Sequence, residues 1–397
     1  MIEMKKKITA LLLVLAMVMT CLVACGDKDK KDEEKKKSSY KDIYEMLEDI
    51  GKVDKGTVTL SADFDLGQEG NGKITVTLGT DGKGNASIGA SVKADVKDAK
   101  LDFAVDDLMV VKDKFMYLNL GGILKAVSGI EPDAAKMLGD IELDYFAIPL
   151  PDDLETKTVD SVKNDGMKLV VDFLKKALAD AKISGEDTDF TVEFTSVKSY
   201  QTVLNTLADY LEKDVLDTVK NSTKESDLKN IDLNKYVEKL INYYYDDVVE
   251  LAGALEMSKE DVDKMIEEIK KEDLNQALES EAGEVVDLEE IEGKLKEAAA
   301  QIREEANNLT EEDIKGIDLK FNVKSVDGGF KLKGTVVASK DGKEAKIDAT
   351  VRISGDVPTI SAPSKITRLR DFKPLISMLL GSLGGLGGLG GGMDFDD

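Results

Sequence analysis

The sequence predicts an α+β protein in which strands from both ends of the chain pair into one curved antiparallel sheet, a half-barrel, covered by a large helical insertion. Three observations carry this prediction. Apolar and polar residues alternate with period two from Thr57 to Val96 and again from Ile317 to Ile353, the pattern of strands with one buried and one wet face. Between these regions, from about 158 to 316, apolar residues recur at helical spacing instead. Gly and Asx residues separate the alternating runs at hairpin distances, so consecutive strands run antiparallel. Pairing both strand-rich ends into one sheet leaves fewer edges than the alternative of two small independent sheets.

Residues 1–24 precede this fold. Lys5, Lys6 and Lys7 lead into ITALLLVLAMVMTCLVAC, an apolar run too short and too early for a comfortable span, and this reads as an export leader. Glu3 is out of place in such a cationic start, and initiation at Met4 would give the more ordinary MKKKIT. Leu22, Val23, Ala24 and Cys25, followed by Gly26, resemble the lipobox of bacterial lipoproteins. In that family a diacylglyceryl group is attached to the cysteine sulfur and the leader is cut just before it. The resemblance therefore implies Cys25 as lipid attachment site and first mature residue, and a location on the extracytoplasmic face of the cell membrane. Cys21 is the rival, but Met19 and Thr20 before it fit the small-residue cleavage requirement less well. Two acyl chains anchor durably because each buried methylene contributes about 0.8 kcal/mol.

Residues 25–41, the acylated cysteine and GDKDKKDEEKKKSSYK, contain almost nothing that could be buried and read as a solvated tether. The basic cluster Lys35 to Lys37 could touch anionic headgroups, with a plain tether as the other reading. A short helix from about Tyr40 to Ile50 opens the strand-rich part, residues 42–157. There TVTLSADFDL places Val58, Leu60, Ala62, Phe64 and Leu66 on one face. KITVTL adds Ile74, Val76 and Leu78, and ASIGASVKADV adds Ala86, Ile88, Ala90, Val92, Ala94 and Val96. Asn71-Gly72 and Asp81 to Gly84 are the expected hairpin turns. LDFAV, with Phe103, then LMVVKDKFMYLNL and IELDYFAI, continue the meander.

The insertion, residues 158–316, reads as helical with one strand-like interruption, DFTVEFTS. Stripes run through Val170, Val171, Leu174 and Leu178, and through Leu204, Leu207, Leu211, Val215 and Val219. Ser258 is the expected N-cap of SKEDVDKMIEEI, whose stripe Val262, Met265, Ile266 and Ile269 is expected to be buried, and Thr310 caps TEEDI similarly. A partner-binding coiled coil is the alternative, but the apolar positions hold no clean heptad and Gly253 and Gly283 interrupt them. In Tyr243, Tyr244 and Tyr245, followed by Asp246 and Asp247, an aromatic helix turn is expected to pack on one side with phenol tips reaching water; a recognition surface is the other reading. Residues 317–368 return to strands, with Phe321, Phe330, Leu332, Val336, Ile347, Val351 and Ile353 inward. Residues 369–397 hold a short apolar helix, FKPLISMLL, and a glycine-rich tail.

Composition removes whole classes of chemistry. The chain has no His, so it builds no Ser-His-Asp triad and no His-carboxylate metal site. With Cys25 acylated no thiol or disulfide remains. Paired carboxylates such as Asp106-Asp107 and Glu289-Glu290 arise by chance among 79 acidic residues, and two-carboxylate glycosidase chemistry sits poorly with 5% aromatics and no Trp. No EF-hand loop is present, and the alternation of Asp63, Asp65 and Gly67 is explained by a strand's wet face. DGKG and KDGK are hairpin turns, since no phosphate-loop pattern precedes a helix. Net charge is −25; losing Glu3 and the three leader lysines makes it −27, so nucleic acid and anionic headgroups should both repel the body.

The lipoprotein start, the antiparallel meander and the helix between strand-rich halves together resemble the LolA/LppX-like group of lipid-handling proteins. That architecture implies an incomplete barrel around a helix-covered apolar cavity that receives acyl chains. ISAPSKITRL after the last strand is also similar to the end of many small bacterial lipoproteins. The expected function is a non-enzymatic, membrane-anchored lipoprotein without cofactor that binds an apolar ligand against Phe64, Val76, Ile88, Val92, Phe103, Phe321, Val336 and Val351. The small residues Ala86, Ala90 and Ala94 would leave room there for a ligand or for a closely packed helix. The alternative is a structural or adhesive surface protein with a filled core and a protein partner in the envelope.

Overall fold

A computed structural model of the chain describes residues 39–53, 55–96, 99–130, 143–151, 171–217, 232–254, 256–271, 288–340, 343–374 and 376. The lipobox, the tether before Ser39 and the glycine-rich tail lie outside the described residues. The strands are β1 (Gly56–Asp65), β2 (Gly70–Thr80), β3 (Ala86–Val96), β4 (Ala99–Lys112), β5 (Phe115–Asn119), β6 (Tyr145–Pro149), β7 (Lys182–Glu186), β8 (Asp189–Phe194), β9 (Ile317–Val326), β10 (Gly329–Lys340), β11 (Lys343–Ser354) and β12 (Ile366–Thr367). They form one open sheet in the order β12-β6-β5-β4-β3-β2-β1-β11-β10-β9-β8-β7. Every pair is antiparallel except β12 with β6. The two ends of the chain thus share a sheet, joined where Leu60 of β1 faces Val351 of β11.

Helices are α1 (Ile43–Ile50), α2 (Leu120–Ile130), α3 (Val197–Asp209), α4 (Leu233–Ala254), α5 (Lys259–Lys271), α6 (Leu288–Asn308) and α7 (Glu311–Ile314). Cross-strand neighbours share a face, so the register sorts every side chain. The apolar face collects Phe190 and Val192 of β8, Leu319, Phe321 and Val323 of β9, Phe330, Leu332 and Val336 of β10, and Ile347, Val351 and Ile353 of β11. Over these strands it carries the main core, closed by Ile43, Met46, Leu47 and Ile50 of α1, by Val171, Phe173 and Leu178, and by Tyr200 and Leu207 of α3. α3 runs on through a π-helical segment, Tyr210–Val215, and is tied to α6 by Arg303, which pairs with Asp209 at 2.7 Å and Glu212 at 2.5 Å.

At the other end both faces are covered. α2 crosses the apolar face so closely that a Cβ at Gly122 would stand 2.6 Å from Val105 Cγ1. α4 runs along the β6 edge and reaches the opposite face, where Tyr243 meets Phe115 at 5.3 Å beside Val110, Tyr117 and Ala147. From Ser354 the chain then crosses that same polar face as a strap, laying Pro358 over Gly79 of β2 and Ile360 against Val110 before β12 pairs with β6.

Three sequence expectations change. Asn71 and Gly72 do not form the first hairpin turn; they lie within β2, opposite Asp65 and Phe64. The chain reverses at Gly67–Glu69, closed by Leu66 N–H donating to Gly70 O at 2.8 Å. Gly72 is a glycine for another reason, since the Phe64 ring lies across it and a Cβ would fall 2.6 Å from its Cζ. The first helix starts at Ile43, because Asp42 caps it and Tyr40 is drawn into a bridge with Asp187. In α5, capped as expected by Ser258, Val262 is buried but Met265 is 51% and Ile269 39% exposed. α5 packs on α4, and within the stripe burial is confined to Val262, so the stripe is wider than the buried strip. Val170 and Val219 lie outside the described residues.

Candidate functional site

All eight residues expected to enclose a ligand fall on the apolar face. Phe64 stands opposite Ile347, Leu60 opposite Val76, Leu78 opposite Ile88, and Val92 opposite Phe103, while Phe321, Val336 and Val351 join through β9, β10 and β11. The face is not uniform. Val336 and Val351 are 4% and 2% exposed and sit in the packed core, with Phe321 half-buried against it. Phe64, Val76, Ile88, Val92 and Phe103 are half-buried, and Ile74 in their midst is 43% exposed. The central strands β1 to β4 therefore present an apolar surface between two helix-covered ends.

Small residues shape that surface. Ala90 lies between Val76 and Val105, and Ala94 between Gly72 and Leu101. Gly89 faces a bulge in which Asp106, Asp107 and Leu108 of β4 oppose one residue of β3; a Cβ there would lie 2.1 Å from Asp106 O. The bulge bends β4 yet returns Met109 to the same face as Val105, so the apolar stripe continues.

Two open depressions are lined by described residues, with charged side chains around both. One, of about 480 Å³, lies at the β1–β2 end among Asp63, Lys73, Lys93, Lys346 and Asp348, with Phe64 at its margin. Burial disfavours the charge on Asp348, but the Thr335 hydroxyl at 2.6 Å and the Lys346 ammonium at 3.0 Å outweigh it and hold the carboxyl below its usual range. Asp63 pairs with Lys73, and Asp65 accepts the N–H of Gly67 at 2.9 Å. The other depression, of about 380 Å³, is lined by Gln301, Glu304, Glu305, Asn308, Leu309 and Asp313 near the end of α6. Among the described residues no three His, Cys, Asp or Glu side chains converge as metal ligands, and no helix is long and apolar enough to cross a membrane.

The tyrosine run proves to be a structural joint. Tyr244 stacks on Phe146 at 5.6 Å and its hydroxyl donates to Ala147 O, with burial pushing its ionisation well upward. Tyr236 and Lys239, on the same side of α4, donate to Pro149 O at 3.0 Å and Leu150 O at 2.8 Å. α4 thus satisfies edge carbonyls of β6 that a foreign strand would otherwise seek. Two of the phenol tips expected in water are bonded to protein instead: besides Tyr244, Tyr245 donates to Asp263 of α5 at 2.5 Å, and that hydrogen bond raises its pKa. Asp247 is fully buried and receives Arg368 Nε of the strap at 2.9 Å, while Arg368 also lies 5.0 Å over the Tyr243 ring. Arg370 Nε, 3.6 Å from the other Asp247 oxygen, is too far to hydrogen-bond, and that oxygen has no hydrogen-bond partner among the described residues. Sequence reasoning missed this pairing, although Asp246-Asp247 and the Arg368-Leu369-Arg370 run are complementary in charge.

No protein-family model, curated protein or solved structure matches the chain.

Proposed function

We propose that this chain is an exported lipoprotein, held to the extracytoplasmic face of a membrane through acylated Cys25, that shelters an apolar ligand such as an acyl chain against its central strands and performs no catalysis. The twist of the sheet would make the apolar face the inner side of a half-barrel, as the resemblance to LolA/LppX-like proteins implies. One observation carries the reading. The apolar alternation is as regular on β2 and β3 as on β10 and β11, yet Ile353 and Val351 are 1% and 2% exposed while Ile74 is 43% exposed and Val76, Ile88 and Val92 are half-buried. Contiguous apolar surface of this kind marks an interaction site. The competing reading, a structural or adhesive surface protein, is favoured by the dense core beneath α1 and α3 and by the polar lining of the depression near the end of α6.

Native mass spectrometry of the protein purified from membranes without detergent separates the two. Copurifying lipid beyond the anchor, lost in Val92→Trp with circular dichroism unchanged, supports ligand binding. Val92 has the open side that a larger ring needs, whereas Val351→Trp serves as the overpacking control and should destabilise by about 1–3 kcal/mol. A protein that carries no lipid, takes up no apolar dye, and is destabilised equally by both substitutions would refute the ligand reading. Cys25→Ser tests the anchor separately: acyl mass should disappear, and membrane retention should no longer survive a high-salt wash.

A further inference from the structure

We propose that the polar face of β9, β10 and β11 is a docking surface for anionic phospholipid headgroups, which lays the body of the protein against the membrane that carries it. The register places Lys324, Lys331 and Arg352 side by side in one row across these three strands. Lys333 stands in the next row. All three members of the row are exposed, and the Lys333 side chain is 42% exposed. Like charges directly opposite one another destabilise a sheet unless something neutralises them. Lys324 has Asp189 at 2.9 Å and Lys333 has Asp348 at 3.4 Å, and the row ends in Asp189 and Glu186. Among the described residues no carboxylate makes an ion pair with Lys331 or Arg352, at the centre of the patch.

Such a cluster is unexpected in a chain of net charge −25. The overall charge argues for repulsion from anionic headgroups, but fields are screened over roughly 8 Å at physiological salt, so a surface in contact responds to the local patch. A second observation selects the membrane as the polyanion. Tyr40 enters the fold by donating its N–H to Asp187 O at 2.8 Å in the β7–β8 turn, and Thr188 of that turn accepts from Ser325 N–H, next to Lys324. With strands about 4.8 Å apart, the root of the tether lies roughly 10 Å from the cation row, at the same end of the strands. The Tyr40 ring itself packs against Phe330 on the apolar side, so the chain before it leaves at this end of the sheet, from which the patch can reach the surface that would hold the anchor. The choice of a membrane rests on the lipid-anchor reading, whereas the binding itself does not.

Cosedimentation with vesicles tests this, using the chain from Gly26 onward, which lacks leader and acyl group but keeps every described residue. It should bind vesicles of phosphatidylcholine mixed with phosphatidylglycerol, not phosphatidylcholine alone, and release at high ionic strength. Each basic residue near such a surface changes partition roughly fivefold, so Lys331→Glu with Arg352→Glu should lower it at least about 25-fold. Lys264→Glu on α5 should leave it unchanged, with circular dichroism intact in all variants. Equal binding to both vesicle types, or binding that survives the double reversal, overturns the proposal. So does capture by a soluble polyanion such as heparin without vesicle binding.

Discussion

Removing the Arg368 guanidinium should loosen the strap from α4. In Arg368→Ala the fully buried Asp247 carboxylate loses its 2.9 Å partner and keeps only Arg370 Nε at 3.6 Å. Breaking a buried pair from one side costs about 3–5 kcal/mol, because a charge is left without compensation. Arg368 is itself 30% exposed, which argues for the lower end of that range. Loss of its contact with the Tyr243 ring adds about 0.5–1 kcal/mol. The expected total is about 3–4 kcal/mol, and a urea slope near 3 kcal/mol/M turns this into a midpoint lowered by about 1 M. Circular dichroism and tyrosine fluorescence should report coincident transitions, as the conversion requires. Asp247→Asn leaves the arginine able to reach water, so it should cost less than Arg368→Ala, and the double variant should fall short of the sum of the two. An Arg368→Ala midpoint within about 0.2 M of the wild type would refute the reasoning, since even a typical hydrogen bond would be larger.

Two glycines predict opposite signs. Gly89→Val drives a side chain into the β4 bulge, where a Cβ already stands 2.1 Å from Asp106 O, and should cost about 2–4 kcal/mol. Gly253→Ala meets nothing within 4 Å on exposed α4 and should stabilise by about 0.5–1 kcal/mol; thermal melting of both checks the contrast. Tyr200 gives a pH signature: burial pushes its phenol from 10.0 up to about 12, and Asp318 adds to the shift. Because the folded value is the higher one, its contribution to stability is intact below pH 10 and is lost as pH rises from 10 to 12, by about 1.4 kcal/mol per unit. Absorbance titration and urea midpoints should show Tyr200→Phe flattening that decline.

The strands were legible because period two survives any twist or change of partner: parity along a strand fixes the face. That is why eight residues drawn from seven strands lie on one face. What period cannot encode is what lies above the face. Val351 and Val92 look alike in sequence, but one is under α1 and α3 while the other lies between the covers. The same limit explains Met265, whose helical spacing is right but whose far side has no neighbour among the described residues. Asn71-Gly72 misled for a different reason, since a glycine that accommodates an aromatic ring is spelled like one that turns the chain. The tyrosine joint and the strap depended on partners roughly 90 to 120 residues away, as in Tyr244 with Ala147 and Arg368 with Asp247, beyond the reach of local pattern.

The sheet order also bears on when this protein can finish folding. Strands β1 to β6 are made first, yet both flanks of that block are closed by residues made last: β1 pairs with β11, and β6 with β12. Thr57 waits for Ser354, about 300 residues later. Until then the early meander holds two open edges, and Val110 and Tyr117 lack the strap, a state inclined to aggregate. Completion is therefore set by arrival of the carboxyl terminus rather than by local hairpins. Under the export reading proposed above, a chain that leaves the ribosome unclosed is also one that remains threadable through a secretion channel.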